Sequence, residues 1–216
     1  MWQKHLKPGR GKMNHQTFDL IRHVKTSPAV EGVPDFFRIP NPEVAVKQAA
    51  AVTRHYNSEN SCIRRAFCSP APYAVITAGL IFAPMGICIE PIPSLWIPED
   101  HKEAWTIFNR LGGKMQPYVD NREAYEMLLD YGETARDALV EKLRQISDVE
   151  ESDSEIIPIV GHGVLSNFTA YAMSRGLDDE ERDGDDRLLK IDLVETGWVR
   201  LHFQNLEYQG AEDFNS

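Results

Sequence analysis

Thr17-Phe18-Asp19-Leu20-Ile21-Arg22 is a short apolar-rich run that reads as a buried strand and ends in Arg22-His23. Ile156-Ile157-Pro158-Ile159-Val160, far along the chain, reads as another, with Gly161-His162-Gly163 at its end. Strands and helices alternate between these two runs. That pattern predicts an α/β fold, a three-layer α/β/α sandwich with a mostly parallel central sheet covered by helices on both faces. In such folds ligands gather beyond the carboxyl ends of the strands. Arg22-His23 and His162 are therefore expected to converge at one edge of the sheet.

Working outward, Asn41-Pro42-Glu43 has the features of a helix start: a capping Asn, a Pro in the first turn and a carboxylate at the positive end of the dipole. Val44, Ala45, Gln48, Ala51, Val52 and Tyr56 follow at helical spacing. Ile63–Cys68 is a strand candidate stopped by Ser69-Pro70-Ala71-Pro72, and Tyr73–Phe82 is apolar and long enough for a helix. Ile87–Glu90 reads as a strand, and Pro91, Pro93 and Pro98 stiffen the loop behind it. Helices are expected from about Glu99 to Leu111, from Asn121 to Ile146 and from Val164 to Ser174. Leu188–Val194 and Trp198–Phe203 read as two strands joined by a hairpin turn at Glu195-Thr196-Gly197. The expected organisation is a flexible basic arm over 1–16, a single domain over 17–204 and a polar tail over 205–216.

The chain has 216 residues and a formal net charge of -10, with 33 acidic against 23 basic side chains. This balance disfavours broad nucleic-acid binding, which depends on cations neutralising phosphates. Three cysteines, Cys62, Cys68 and Cys88, cannot all pair, and none lies in a Cys-x-x-Cys spacing. Reduced thiols in a cytoplasmic setting are expected, without a metal site or another cofactor. Cys68 reads as a strand cysteine and not a nucleophile. No apolar run reaches the ~18 residues of a membrane span, and no charged-then-apolar leader is visible at the N-terminus. The acidic run Asp178–Asp186 reads as a solvated connector and lacks the spacing of a calcium loop. No Gly-rich loop precedes a Lys-Ser/Thr pair, which disfavours a nucleoside triphosphatase.

The two histidines are the most informative pair. A neutral imidazole can attack phosphorus and carry the phosphoryl group covalently. An adjacent Arg can hold the phosphate oxygens bidentately. A second His can stabilise charge on the group in flight. Glycines on both sides of His162 let backbone approach a ligand, and the helix start behind it favours an anion.

Phe18-Asp19-Leu20-Ile21-Arg22-His23-Val24-Lys25-Thr26 resembles the Arg-His-Gly opening of the histidine phosphatase superfamily, which includes the phosphoglycerate mutases. Later features follow in the family's order: the Asn41–Tyr56 helix, a Ser-Pro-led helix from Cys68-Ser69-Pro70 to Thr77-Ala78, and Ile159-Val160-Gly161-His162-Gly163 at the second histidine. The layout is similar to that of the compact phosphohistidine phosphatases and spans about Thr17 to Phe203.

The resemblance implies a phosphoglycerate mutase-like fold and a metal-independent phosphatase that hydrolyses a phosphomonoester or phosphoramidate. His23 would be the phosphorylated nucleophile, with Arg22, His162 and Gly163 around the phosphate. Partners would be a phosphorylated small molecule or a phosphoprotein, with neither nucleic acid nor membrane. The proton donor of one branch follows the second histidine, where this chain has Gly163; in the other branch it is a Glu, for which Glu99 is the nearest candidate, with Asp100 and Glu103 as alternatives. Three departures stand out. Tyr73 replaces a second family Arg, Val24 replaces a Gly, and Lys25 replaces an acidic or polar residue. Arg64, Arg65 or Lys25 could restore the missing charge. If they do not, the resemblance implies a degenerate member that binds a phosphate-bearing ligand or protein without turnover, and a mutase ranks below both readings.

Overall fold

In the computed structural model the described residues are 15–28, 30, 31, 37–59, 61–97, 101–147, 155–178 and 182–215. The strands are β1 (His15–Arg22), β2 (Arg65–Cys68), β3 (Cys88–Pro91), β4 (Glu155–Gly161), β5 (Trp198–Gln204) and β6 (Glu207–Phe214). The helices are α1 (Pro42–Glu59), α2 (Pro72–Phe82), α3 (Lys102–Leu111), α4 (Gln116–Val119), α5 (Arg122–Ser147) and α6 (Gly163–Ser174). The sheet order is β3-β2-β4-β1-β5-β6. β1, β2, β3 and β4 pair in parallel, whereas β5 runs antiparallel to both β1 and β6.

The strand period of two separates the two faces of the sheet. Phe18, Leu20, Phe67, Ile157 and Ile159 enter one core with Ala135, Leu139 and Leu143 of α5 and Ala170 and Met173 of α6. Ile21, Ala66, Cys68 and Val160 enter the other with Ala45, Ala49 and Val52 of α1 and Ala74, Ala78 and Ile81 of α2. The architecture is the three-layer α/β/α sandwich that the alternation implied. A third cluster, with Tyr73, Trp96, Ile107, Tyr118, Leu128, Leu165 and Phe168, closes the end of the sheet where the parallel strands finish. α6 is buried along nearly its whole length, as its apolar composition requires. It lies directly on α5 at Gly132, where a Cβ would stand 2.4 Å from the Phe168 carbonyl oxygen.

Three expectations change. The segment expected as a strand over Leu188–Val194 forms a single 3₁₀ turn at Leu188–Lys190 and then irregular chain. Its leucines point to two different cores, Leu188 and Leu193 to one and Leu189 to another, so they cannot share a sheet face. Asn167 Nδ2 donates to the Leu188 and Ile191 carbonyls and holds this irregular path. The tail expected over 205–216 contains β6, paired with β5 across Asn205-Leu206. Both turn residues have positive φ, 52° and 71°, the geometry of a two-residue hairpin that follows the strand twist. Glu195-Thr196-Gly197 is therefore not the hairpin. At the other end, residues 1–14 of the expected arm lie outside the described residues, and β1 already begins at His15.

Candidate active site

Register brings the site together. Arg22 at the end of β1 lies beside Gly161 at the end of β4. The His23 amide then donates to the Gly161 carbonyl at 3.0 Å, so the residues following the two strands leave side by side. The His23 and His162 ring centroids are 5.4 Å apart. β2 ends next to β4, and the Ser69 amide donates to the Val160 carbonyl at 2.8 Å. Ser69 Oγ thereby reaches His162 Nε2 at 2.9 Å.

His23 Nδ1 lies 2.7 Å from the Val24 carbonyl oxygen. A carbonyl only accepts, so Nδ1 carries a proton, and in the neutral ring the lone pair is on Nε2. That is the tautomer a nucleophilic imidazole needs. His162 is 8% exposed. Burial foremost, then the neighbouring His23 and Arg22, hold its pKa well below the ordinary imidazole value. It is therefore a neutral hydrogen-bonding group beside the Arg22 guanidinium. The Arg22 Nη1 donates to the Leu193 carbonyl at 2.5 Å. Its Nε is buried with no hydrogen-bond partner. A buried donor in that state costs about 1–3 kcal/mol, which an oxyanion would relieve. Gly163 opens α6 against this guanidinium, and a Cβ there would lie 3.4–3.6 Å from Arg22 Cδ, Nε and Cζ. The first turn of α6 adds amides without intrahelical acceptors to the same spot.

These residues floor a cleft of ≈ 610 Å³. Tyr73, Trp96, Trp105 and Phe108 line one part of it, and Lys25, Arg38 and Asn41 another. Glu195 is the one carboxylate in the lining among the described residues. Its turn is clipped to β1: the Thr196 amide donates to the Arg22 carbonyl and the Arg22 amide to the Gly197 carbonyl, both at 3.0 Å. Thr196 sits at φ 64°, an uncommon conformation for a β-branched residue. Glu195 is thus positioned by its neighbours, and its sequence context, a supposed hairpin, gave no signal of this. Ser69 and Arg38 were likewise not read as site residues, because only strand register and loop path bring them to the site.

The departures noted in the sequence resolve as follows. Tyr73, 2% exposed, packs edge-on against both histidines, with centroids 4.5 Å from His23 and 5.1 Å from His162. Val24 is fully buried in the α1–α2 core, so it does not crowd a phosphate, and its amide donates to Thr77 Oγ1 at 3.2 Å. Lys25 lines the cleft, whereas neither Arg64 nor Arg65 does. Arg65 starts β2, at the opposite end of the strand, beside Glu155. Glu99 and Asp100 lie outside the described residues, and Glu103 is exposed in the first turn of α3. Burial pushes the Cys68 thiol up to about 12, which makes it a poor nucleophile. Among the described residues of the acidic run, Arg182 pairs with Asp178, and Arg187 pairs with Asp185. No described helix is long and apolar enough to cross a membrane.

No family model and no curated protein matches the chain. Solved structures do. A mycobacterial glucosyl-3-phosphoglycerate phosphatase superposes with a TM-score of 0.65 at 13% identity, over 93% of this chain and 98% of that one. A phosphoserine phosphatase from Entamoeba histolytica, in complex with 3-phosphoglyceric acid, gives 0.62 at 16% identity, over 93% and 97%. SixA from Agrobacterium tumefaciens, assigned as a phosphohistidine phosphatase, gives 0.52 at 18% identity, over 91% and 96%. With its sheet order and these matches, the chain has a phosphoglycerate mutase-like fold.

Proposed function

We propose that the chain is a metal-independent phosphatase that works through a phosphohistidine on His23. The observation that carries this reading is the His23 tautomer: Nδ1 is committed to the Val24 carbonyl at 2.7 Å, with the lone pair on Nε2 beside Arg22 and His162. In the first step the Nε2 pair forms a bond to phosphorus, and the ester P–O bond breaks with its electrons on the leaving oxygen. Arg22, the α6 amides and His162 hold the phosphoryl oxygens. In the second step water attacks phosphorus, the P–N bond returns its electrons to Nε2, and inorganic phosphate leaves. Glu195, the carboxylate of the described lining, is the group we assign to protonate the leaving oxygen and then to take the proton of the attacking water. Glu99, the candidate from the family pattern, would take this role if Glu195→Gln left the rate unchanged.

One observation favours a second reading. Tyr73 fills the place of a family cation and rests on both histidines, which suits a protein that binds a phosphate-bearing ligand without turning it over. Hydrolysis of p-nitrophenyl phosphate by the purified chain, with chelator present and with His23→Ala beside it, separates the two. The phosphatase reading expects turnover that resists chelation and falls by at least about a thousandfold in the variant. Turnover that persists in His23→Ala overturns it. Binding of orthovanadate with no turnover in either protein supports the second reading.

A further inference from the structure

We infer that the cleft takes a phosphate ester carried directly on a planar aromatic ring. The inference rests on the phosphate subsite proposed above and adds the chemistry of what is attached to the phosphate. Ring contacts run without interruption outward from that subsite. Tyr73 touches both histidines, and the Trp96 centroid lies 4.5 Å from that of His162. Trp105 follows at 5.1 Å from Trp96, and Phe108 at 5.8 Å from Trp105. All four line the cleft.

This wall is assembled from three separate places: the start of α2, the loop behind β3, and α3. On α3, Ala104 and Ile107 are buried in the cluster that closes the sheet. Trp105 and Phe108 are only partly buried and belong to the lining. Gly112 and Gly113 also line the cleft, and a Cβ added at either would meet nothing within 4 Å.

The chemistry follows from where the wall begins. It starts at the histidines themselves, so the group bonded directly to the phosphoryl oxygen meets aromatic faces and edges. A ring in that position gains offset or edge-to-face contacts with Tyr73, Trp96 and Trp105. A glycerol or sugar in the same position would set part of its hydroxyls against Tyr73, Trp96 and Trp105, at a desolvation cost, with polar partners only on the Lys25, Arg38, Asn41 and Glu195 side of the cleft. A nucleotide would set a ribose there and carry its base further out. Tyr73 points the same way. The family's second cation is absent from this position, and a phenolate, whose conjugate acid has a pKa near 10, leaves with less help than an alkoxide.

Calorimetric titration of the full chain with phenylphosphonate and propylphosphonate tests the inference without any chemistry at phosphorus. We expect phenylphosphonate to bind about tenfold more tightly, the scale of one or two ring contacts. Trp105→Ala should reduce the preference to under about threefold, and Phe108→Leu, which keeps apolar volume, should reduce it partly. Equal binding of the two phosphonates by the wild-type chain overturns the inference, even if p-nitrophenyl phosphate is hydrolysed through His23. A preference for phenylphosphonate in a chain that hydrolyses nothing upholds it while the phosphatase reading fails. The ester could be a free aryl phosphate or a phosphotyrosyl side chain. The ratio of kcat/KM for phenyl phosphate to that for a phosphotyrosyl peptide distinguishes these sources.

Discussion

Burial, His23 and Arg22 all oppose a proton on His162, and its hydrogen-bond partner Ser69 is neutral. The folded chain therefore keeps it neutral where the unfolded chain, with a pKa near 6.5, takes up a proton. The unfolded state binds more protons as the pH falls, so this contribution to stability is complete above about pH 7 and declines below pH 6.5, down to the lowered folded value. The midpoint of urea unfolding should fall between pH 7.5 and pH 5, and His162→Asn should flatten that decline. An equal slope in the variant would show that other groups carry it. At the same scale, the tautomer of His23 and the orphaned Nε of Arg22 are matters of single atoms. The sequence supplies the residue types, Arg, His and His at strand ends, but not which nitrogen bears the proton. A backbone carbonyl decides that.

β1, β5 and α1 are tied by a buried ion cluster behind the site. Asp19 of β1 is fully buried and opposite Arg200 of β5 in register. Arg200 donates to Asp19 at 2.8 and 2.9 Å and to Glu59 of α1 at 3.0 and 3.2 Å. The Tyr56 hydroxyl donates to Asp19 at 2.7 Å, and Phe214 of β6 lies under the guanidinium at 5.1 Å. Burial opposes the charge on Arg200, but the hydrogen bonds to Asp19 and Glu59 outweigh it and raise its pKa. Arg200→Ala leaves Asp19 buried and unpaired, and should cost about 3–5 kcal/mol in urea unfolding. Asp19→Asn together with Arg200→Met should cost clearly less, because both charges are gone. A cost below about 1 kcal/mol for the single variant would show that the cluster is solvated or relaxes.

The same elements show what was legible in the sequence. The helix starting at Asn41-Pro42-Glu43 was readable from its cap, and Asn41 Oδ1 does accept from the Glu43 amide at 3.1 Å. The β1 and β4 runs were readable from their β-branched apolar residues. β6 was not, because Glu207, Gln209, Glu212 and Asp213 make an edge strand with little apolar signal. Leu188–Val194 misled for the opposite reason: its leucines are apolar but serve two cores.

For the whole molecule, the alternation of strands and helices fixes three layers, and the carboxyl-end rule points to the edge where His23 and His162 meet. Glu195 and the joining of Tyr73, Trp96, Trp105 and Phe108 into one wall escape this reasoning. Residues such as Trp96, Trp105 and Glu195 reach the cleft through the sheet order β3-β2-β4-β1-β5-β6 and through loop paths, which depend on long-range pairing and not on local spacing. The account makes His23 the residue that carries phosphorus between two half-reactions. Rapid quenching of the enzyme with phenyl phosphate into alkali, where phosphohistidine survives, followed by peptide mass spectrometry, observes that species directly. The account predicts phosphate on the peptide containing His23, formed within a turnover and absent from His23→Ala. Phosphate on any other side chain, or turnover with no phosphorylated peptide at any quench time, would contradict it.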